Sequence, residues 1–553
     1  MKHLLCILLL ACAFAAQAQT SPNDLLSHIP ADADQVTDFD LGAITSKMDL
    51  PAIVNLLGNK ARNNKSLAMF QQLLSSGLDI HKNLLIAQTN TGKVDSIQYI
   101  TFFVHLTDSA KFVAFMRAKA KEANGETLHF IHLPGKERVA VHDKDAAAWN
   151  DHLAVLSVFT VPMSSNGTPV PITTAQQKAA RRVAAELRGY SDTKFITDTH
   201  FTTTFSDGGD IHSWSKKGSI ASMLEKLSKK MPGMGNQFGN MSQFTGNNSM
   251  SGPSISTLRF DNGRISYRTL KFVSPYEVAA IQKTLGQGLS PELLTLVPPR
   301  PLLGVAALHF DLAALEDTIK KNPAFPMIDT MMKSKGISIM DILHALKGDF
   351  VFLLCQPDKP TNDTTATGKP KVPAPAMFLV ATINDKAALE KILPVIKVKD
   401  AMVPKAADTT AADTAHKKNL FPDYIEKDDL IVLGKRHQLK EFLNAPPTGD
   451  PIGKLLPAQV RENTISAGID IHTIVTAFLG PMLTSGDTQD PKGKAIMDML
   501  QQFQTIHITV GAIRDGAMET NMVLNFTDQS KNSLTVLTNM ISTLAGQTGG
   551  QAQ

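Results

Sequence analysis

Four times in this chain an apolar run ends in an aspartate held between aliphatic or aromatic residues. The four are Asp40 in Phe39-Asp40-Leu41, Asp210 before Ile211, Asp311 in Phe310-Asp311-Leu312 and Asp470 in Ile469-Asp470-Ile471. Helical spacing follows each, then two strand-like runs, then a helix opened by a small polar residue. Strands repeat every second residue and helices about every 3.6, so this alternation constrains the chain to short strands interleaved with helices. An aspartate suits the junction because its carboxylate accepts the free amides of a helix's first turn.

The last quarter shows the pattern most cleanly. Residues 464–472 alternate into a strand, 473–483 and 494–503 carry helical spacing, and 506–513 is a second strand. Arg514-Asp515-Gly516 supplies the positive φ of a tight hairpin, 517–526 returns, and Thr527-Asp528 is placed to cap a helix through Leu544. In the second quarter a strand at 197–205 leads to Asp210-Ile211-His212, a helix at 220–229 and a hairpin at 254–273 turning on Asp261-Asn262-Gly263, with Ser274-Pro275 opening the closing helix. In the first, 35–40 leads to helices at 50–57 and 66–74, strands at 84–88 and 97–106, and a helix capped by Thr107-Asp108. The third repeats it: 304–311, helices to Lys333, strands at 348–354 and 376–383, and a helix opened by Asn384-Asp385. Gly77-Leu78-Asp79-Ile80 also matches Gly336-Ile337-Ser338-Ile339. Additional strands at 128–133, 138–141 and 153–159 follow the first quarter, and 424–426 and 430–433 the third.

The period is thus a half-chain. The expected fold class is α+β: two tandem halves, each of two β-α-β-β-α units, with mainly antiparallel sheets covered by helices. The expected division is 1–18 leader, 19–292 first half, 293–546 second half and 547–553 tail. Leu296-Val297-Pro298-Pro299-Arg300-Pro301 reads as the linker, since prolines stop helix continuation. Residues 231–253, 357–375 and 403–418 have too few large apolar side chains to offset the entropy of ordering and read as surface insertions.

The opening residues indicate export. Lys2, an apolar run from Leu4 to Ala16 and Ala16-Gln17-Ala18 form a signal peptide cut between Ala18 and Gln19, too short to span a bilayer. Leu9-Leu10-Ala11-Cys12 also resembles a lipobox, which would place a lipid on Cys12; the short spacing from Lys2 and the apolar residues beyond Cys12 favour the soluble form. Cleavage after Ala18 leaves Cys355 alone in the mature chain, in the apolar run Phe350-Val351-Phe352-Leu353-Leu354, where a buried thiol is expected. No later stretch reaches the length of a transmembrane helix. The formal charge of +4, one unit of it Lys2, shows no basic face and argues against nucleic acid as a partner.

Motifs that carry chemistry are sparse. Asp-Ile-His occurs at 79–81, 210–212 and 470–472; the expected role is a capping aspartate followed by an exposed histidine, and the alternative is a strand pair that orients an imidazole. His129 and His132 are three apart, on opposite faces of a strand, and make a poor zinc pair. Asp32, Asp34, Asp38 and Asp40 lack the EF-hand order and read as a turn entering a strand. Ser213-Trp214-Ser215-Lys216 has S-x-x-K spacing without its companion motifs. No catalytic, metal or cofactor-binding residue is assigned, and no cofactor is expected. Asp363-Thr364-Thr365, Asp408-Thr409-Thr410 and Asp413-Thr414-Ala415 have the form of O-glycosylation acceptors of some exported proteins.

The stretch Ile29-Pro30-Ala31-Asp32-Ala33-Asp34-Gln35-Val36, followed by Phe39-Asp40-Leu41, resembles secreted bacterial families of unknown function that open with a Pro-Ala-Asp-Ala segment. The resemblance implies an envelope protein with no assigned catalytic residues. The expectation is an exported protein, periplasmic, outer-membrane associated or extracellular, acting as a non-enzymatic binder or scaffold toward an envelope protein or polymer. Hydrolysis of an envelope polymer and carriage of a hydrophobic ligand are the alternatives, the first requiring paired carboxyls in a cleft and the second an enclosed apolar cavity.

Overall fold

The computed structural model describes residues 24–48, 75–89, 96–124, 129–131, 138–161, 172–191, 193, 195, 201–202, 205, 207–216, 252–275, 278–279, 282–283, 289–320, 325–334, 336–357, 375–397, 423–444, 451–456, 463–476, 491–514 and 516–548. The chain divides into two compact units, Met1–Phe272 with Gln529–Gln553, and Val273–Asp528. Of the expected surface insertions, 403–418 and all of 231–253 but its last two residues, with the glycosylation triplets, His132, Cys12, Ala18 and Gln19, fall outside the described residues, as does 357–375 except its two ends.

Unit one holds β1 (Ala33–Phe39), β2 (Leu84–Thr89), β3 (Gln98–His105), β4 (His129–Ile131), β5 (Arg138–His142), β6 (Asp145–Trp149), β7 (Leu153–Thr160), β8 (Ile211–Ser215), β9 (Ser254–Asp261) and β10 (Arg264–Phe272). The strands pair antiparallel in the order β10-β9-β8-β1-β2-β3-β7-β6-β5-β4. One face, with Val36, Leu85, Phe103, Val155, Trp214 and Ile255, packs against the helix Ile172–Arg188 through Ala175, Ala179, Val183 and Leu187. The opposite face, with Leu84, Phe102, Val104 and Leu156, meets Phe112 of the helix Ser109–Asn124, whose ring stands edge-on to Trp149 at 5.9 Å. Both faces near β3 are therefore apolar, and fully burying a phenylalanine such as Phe103 contributes on the order of 2–3 kcal/mol.

Unit two holds β11 (Leu302–His309), β12 (Leu346–Cys355), β13 (Ala376–Ile383), β14 (Asp423–Lys427), β15 (Leu430–Gly434), β16 (Asn463–Asp470), β17 (Phe503–Arg514) and β18 (Ala517–Phe526). Their order is β18-β17-β16-β11-β12-β13-β15-β14, again antiparallel. Cys355 is fully buried among Val305, Leu353 and Phe378, and burial pushes its thiol up to about 12, which makes it inert.

The expected fold class is corrected by these strands. Among the described residues there are 18, all paired antiparallel, and the result is a sheet-dominated, open fold rather than α+β halves of two β-α-β-β-α units each. The quarter pattern breaks because strands outnumber it. β6, Asp145-Ala-Ala-Ala-Trp149, was hidden by alanines of poor strand propensity, and it reaches β5 through a tight turn with Asp143 at φ 47°. The second quarter differs most. Phe201 and Phe205 sit in short helical turns with buried rings stacked 4.1 Å apart, not in a strand, and the strand begins only after Asp210. The closing helix of the chain starts at Ser533, with Asn532 accepting the Leu534 amide, and not at Thr527-Asp528. The proline cluster is no free linker: Arg300 is held within unit two by a two-pronged pairing to Glu441 at 2.8 and 2.7 Å.

Candidate functional site

Three of the four repeat aspartates cap as expected. Asp40 accepts the Ala43 amide at 2.8 Å, Asp311 that of Ala314 at 2.9 Å and Asp470 that of Thr473 at 2.9 Å. Asp210 does not. Its fully buried carboxylate accepts Lys47 Nζ at 2.6 and 2.8 Å and the Phe260 amide at 2.6 Å, while its backbone carbonyl accepts the Asp40 amide.

The strand that follows places His212 directly opposite Asp38 of β1. The exposed histidine expected from Asp210-Ile211-His212 is instead 3% exposed. Its Nε2 lies 2.9 Å from Asp207 Oδ1, its Nδ1 lies 3.7 Å from Asp38 Oδ2, and Phe205 stacks on the ring at 5.2 Å. Asp207 also accepts the Gly209 amide at 3.0 Å and the Thr257 hydroxyl at 3.2 Å, and Asp38 accepts Asn83 Nδ2 at 2.9 Å. Burial pulls the imidazole down, but the hydrogen bonds and charges of Asp207 and Asp38 outweigh it and raise the ring to about 9. Asp38 moves upward because burial outweighs His212 and Asn83; Asp207 moves downward because His212 and the Gly209 amide outweigh its burial.

A general base works best with a pKa near the operating pH. An imidazole at about 9 is protonated at neutral pH and serves as a fixed cation between two acids. The surroundings also leave no reacting atom beside it: a β-carbon at Gly209 would come within 2.3 Å of Thr257 Cγ2 and 2.8 Å of His212 Nε2. The cluster locks β1, β8 and the Asp207 turn together. Unit two carries an acid–imidazole pair at the corresponding place, the residue before Phe-Asp-Leu, with the partners exchanged: His309 Nδ1 meets Asp349 Oδ1 at 2.5 Å, and Asp349 Oδ2 accepts Thr382 Oγ1.

The acidic opening is likewise committed to the fold. Asp32 takes Arg182 through both oxygens at 3.0 and 2.9 Å, Arg182 Nε reaches buried Glu186 at 2.8 Å, and the guanidinium lies 4.6 Å from the Tyr99 ring centre. The helix that supplies Arg182 and Glu186 escaped the sequence reading, although Ala175, Ala179, Val183 and Leu187 recur at helical spacing. Ser213 and Lys216 do not form an S-x-x-K pair, since three residues along a strand turn to opposite faces; Ser213 Oγ meets Thr37 Oγ1 at 3.2 Å. His129 is exposed on β4.

On the face of β8 opposite His212 lies a cavity of about 280 Å³, lined by Gln35, Ile211, Ser213, Ser215, Ser254, Ser256, Leu258 and Tyr267. Strand pairing sets these in rows: Gln35, Ser215 and Ser254 across β1, β8 and β9, and Ile211, Leu258 and Tyr267 across β8, β9 and β10. Between the rows, Ser256 Oγ meets Thr269 Oγ1 at 2.9 Å and receives the Tyr267 hydroxyl at 3.0 Å. Of the lining residues, the sequence raised Ser213 and Ser215 only within the S-x-x-K spacing; the serines at 213, 215, 254 and 256 at alternate positions are the signal for this face.

No family model matches the chain, and no curated protein matches it. Among solved structures, crystal form III of TP0453 aligns with a TM-score of 0.26 at 11% identity, over 48% of this chain and 87% of that one. Crystal form I aligns with a TM-score of 0.26 at 9% identity, over 47% and 81%, and form IV with 0.24 at 9%, over 47% and 84%. Scores this low carry no inference about fold or function. No described helix is long and apolar enough to cross a membrane.

Proposed function

We propose that this chain is an exported protein of the bacterial envelope that works by binding, and that the β8–β10 face of unit one is where it binds. The observation that carries the reading is a division of labour among polar groups. Asp32, Asp38, Asp207, Asp210, His212, Arg182 and Lys47 are engaged with one another or with backbone amides, whereas the cavity beside Ser254 and Gln35 presents hydrogen-bonding groups to open space. Export rests on Lys2, the apolar run to Ala16 and the Ala16-Gln17-Ala18 site, with Cys12 as the place of a lipid in the anchored form. The hydrolase reading draws no support from Asp38 and Asp207, whose carboxyls face an imidazolium instead of a cleft.

Mild crosslinking in cells, with affinity recovery and an unrelated exported protein as control, tests the binding role. Specific recovery of an envelope component is expected; no enrichment over the control, together with turnover of a polymer by purified protein, would overturn it. Intact mass of the mature chain distinguishes cleavage after Ala18 from a lipid on Cys12.

A further inference from the structure

Resting on the binding reading above, we infer that the cavity on β8–β10 is a subsite for one ring of a neutral saccharide. Three observations converge. First, Ser254, 3% exposed, lines the cavity without a hydrogen-bond partner for its hydroxyl among the described residues, and the Gln35 amide has none either. The Ser254 oxygen opens on the cavity, where a ligand hydroxyl gains a hydrogen bond that otherwise goes to solvent. Second, the row of Ile211, Leu258 and Tyr267 offers an apolar platform at one end of the cavity, and the polar row of Gln35, Ser215 and Ser254 lies at the other, with Ser213 and Ser256 between them. A pyranose presents the same division, with C–H groups on its faces and hydroxyls at its rim. The Tyr267 hydroxyl is tied to Ser256, which fixes the ring as a stacking surface.

Third, among the described residues no aspartate, glutamate, lysine, arginine or histidine lines the cavity. The one cation in the Ser254 row, buried Lys271 opposite it on β10, lies outside the lining and is already engaged, so the lining itself presents only neutral groups and the chemistry selects a neutral ligand. The volume of about 280 Å³ is at the lower edge of the roughly 300–1,000 Å³ typical of small-molecule sites, which suits one sugar unit with the rest of an oligosaccharide outside.

The test is a ligand-observed NMR titration of the full mature chain with glucose, N-acetylglucosamine, maltose and cellobiose, with glucuronic acid and inorganic phosphate as charged comparators. Saturable binding of at least one neutral sugar is expected, weakened tenfold or more by Ser254→Val, which fills the cavity, and by Gln35→Ala. Should Ser254→Val fail to fold, as judged by circular dichroism, the half-exposed Gln35→Ala carries the test. Absence of saturation by every neutral sugar, stronger binding of a charged comparator, or unchanged affinity in a folded variant would each overturn the saccharide assignment. In-cell crosslinking of Gln35→Ala separates this from the broader reading: recovery of the same envelope component by a chain that binds no sugar leaves a binding protein and removes the saccharide.

Discussion

His212 Nε2 lies 2.9 Å from Asp207 Oδ1, and this contact with the Asp38 carboxylate on the other side turns a strand histidine into a permanent cation at neutral pH. Both tryptophans of the chain, Trp149 and Trp214, are buried in unit one, so their fluorescence reports the unfolding of the unit that contains this cluster.

The first prediction concerns alkaline pH. The folded value of His212, about 9, is above its ordinary 6.5, so its stabilisation is complete below 6.5 and is lost as pH rises through about 9. Urea unfolding followed by tryptophan fluorescence should show unit one losing roughly 1–3 kcal/mol between pH 6.5 and 9.5, the upper figure discounted because Asp38 is itself held above its usual range. His212→Asn should lose that slope; a variant that kept it would remove the assignment.

The second lies in the acid window. Burial, outweighing the charge and hydrogen bond of Arg182, pushes Glu186 up to about 7 from 4.5. Its favourable contribution is therefore full below 4.5 and lost as pH rises through 7. Glu186→Gln should gain about 2 kcal/mol relative to the parent on going from pH 5 to pH 8, read as a change in urea midpoint difference. An unchanged difference would contradict the buried carboxylic acid.

The third tests the exceptional aspartate. Lys47→Met leaves Asp210 buried with the Phe260 amide alone and should cost about 3 kcal/mol, and the double variant with Asp210→Asn should recover most of it. Equal losses in single and double variants would show that the ion pair is not what Lys47 contributes.

The fourth separates clash from backbone strain in unit two. Gly348 has φ +107°, and a β-carbon there would fall 1.8 Å from the Phe310 carbonyl oxygen; Gly336 has φ +84° with open space around it. Gly336→Ala should cost about 1–2 kcal/mol, the strain alone, whereas Gly348→Ala should cost more than about 3 kcal/mol or prevent folding of unit two. Limited proteolysis of the two variants beside the parent provides the readout.

What the chain's own order of residues determined is local. The capping roles of Asp40, Asp311 and Asp470, the helix opened by Asp385, the hairpin through Gly263 and the buried thiol of Cys355 were all legible, because each depends on neighbours within a few positions and on a period of two or 3.6. Tertiary structure alone decided which strand stands beside which, and with it every charged cluster. Asp38 meets His212, Asp32 meets Arg182 and Lys47 meets Asp210 across separations of about 150 residues or more, and Gln35 comes into one row with Ser254 only because β8 lies between β1 and β9. A strand's pattern states which face is apolar but not its partner, and a side chain's charge state follows from the water it loses and the partners it gains, so neither the imidazolium of His212 nor the cavity existed before the sheet assembled.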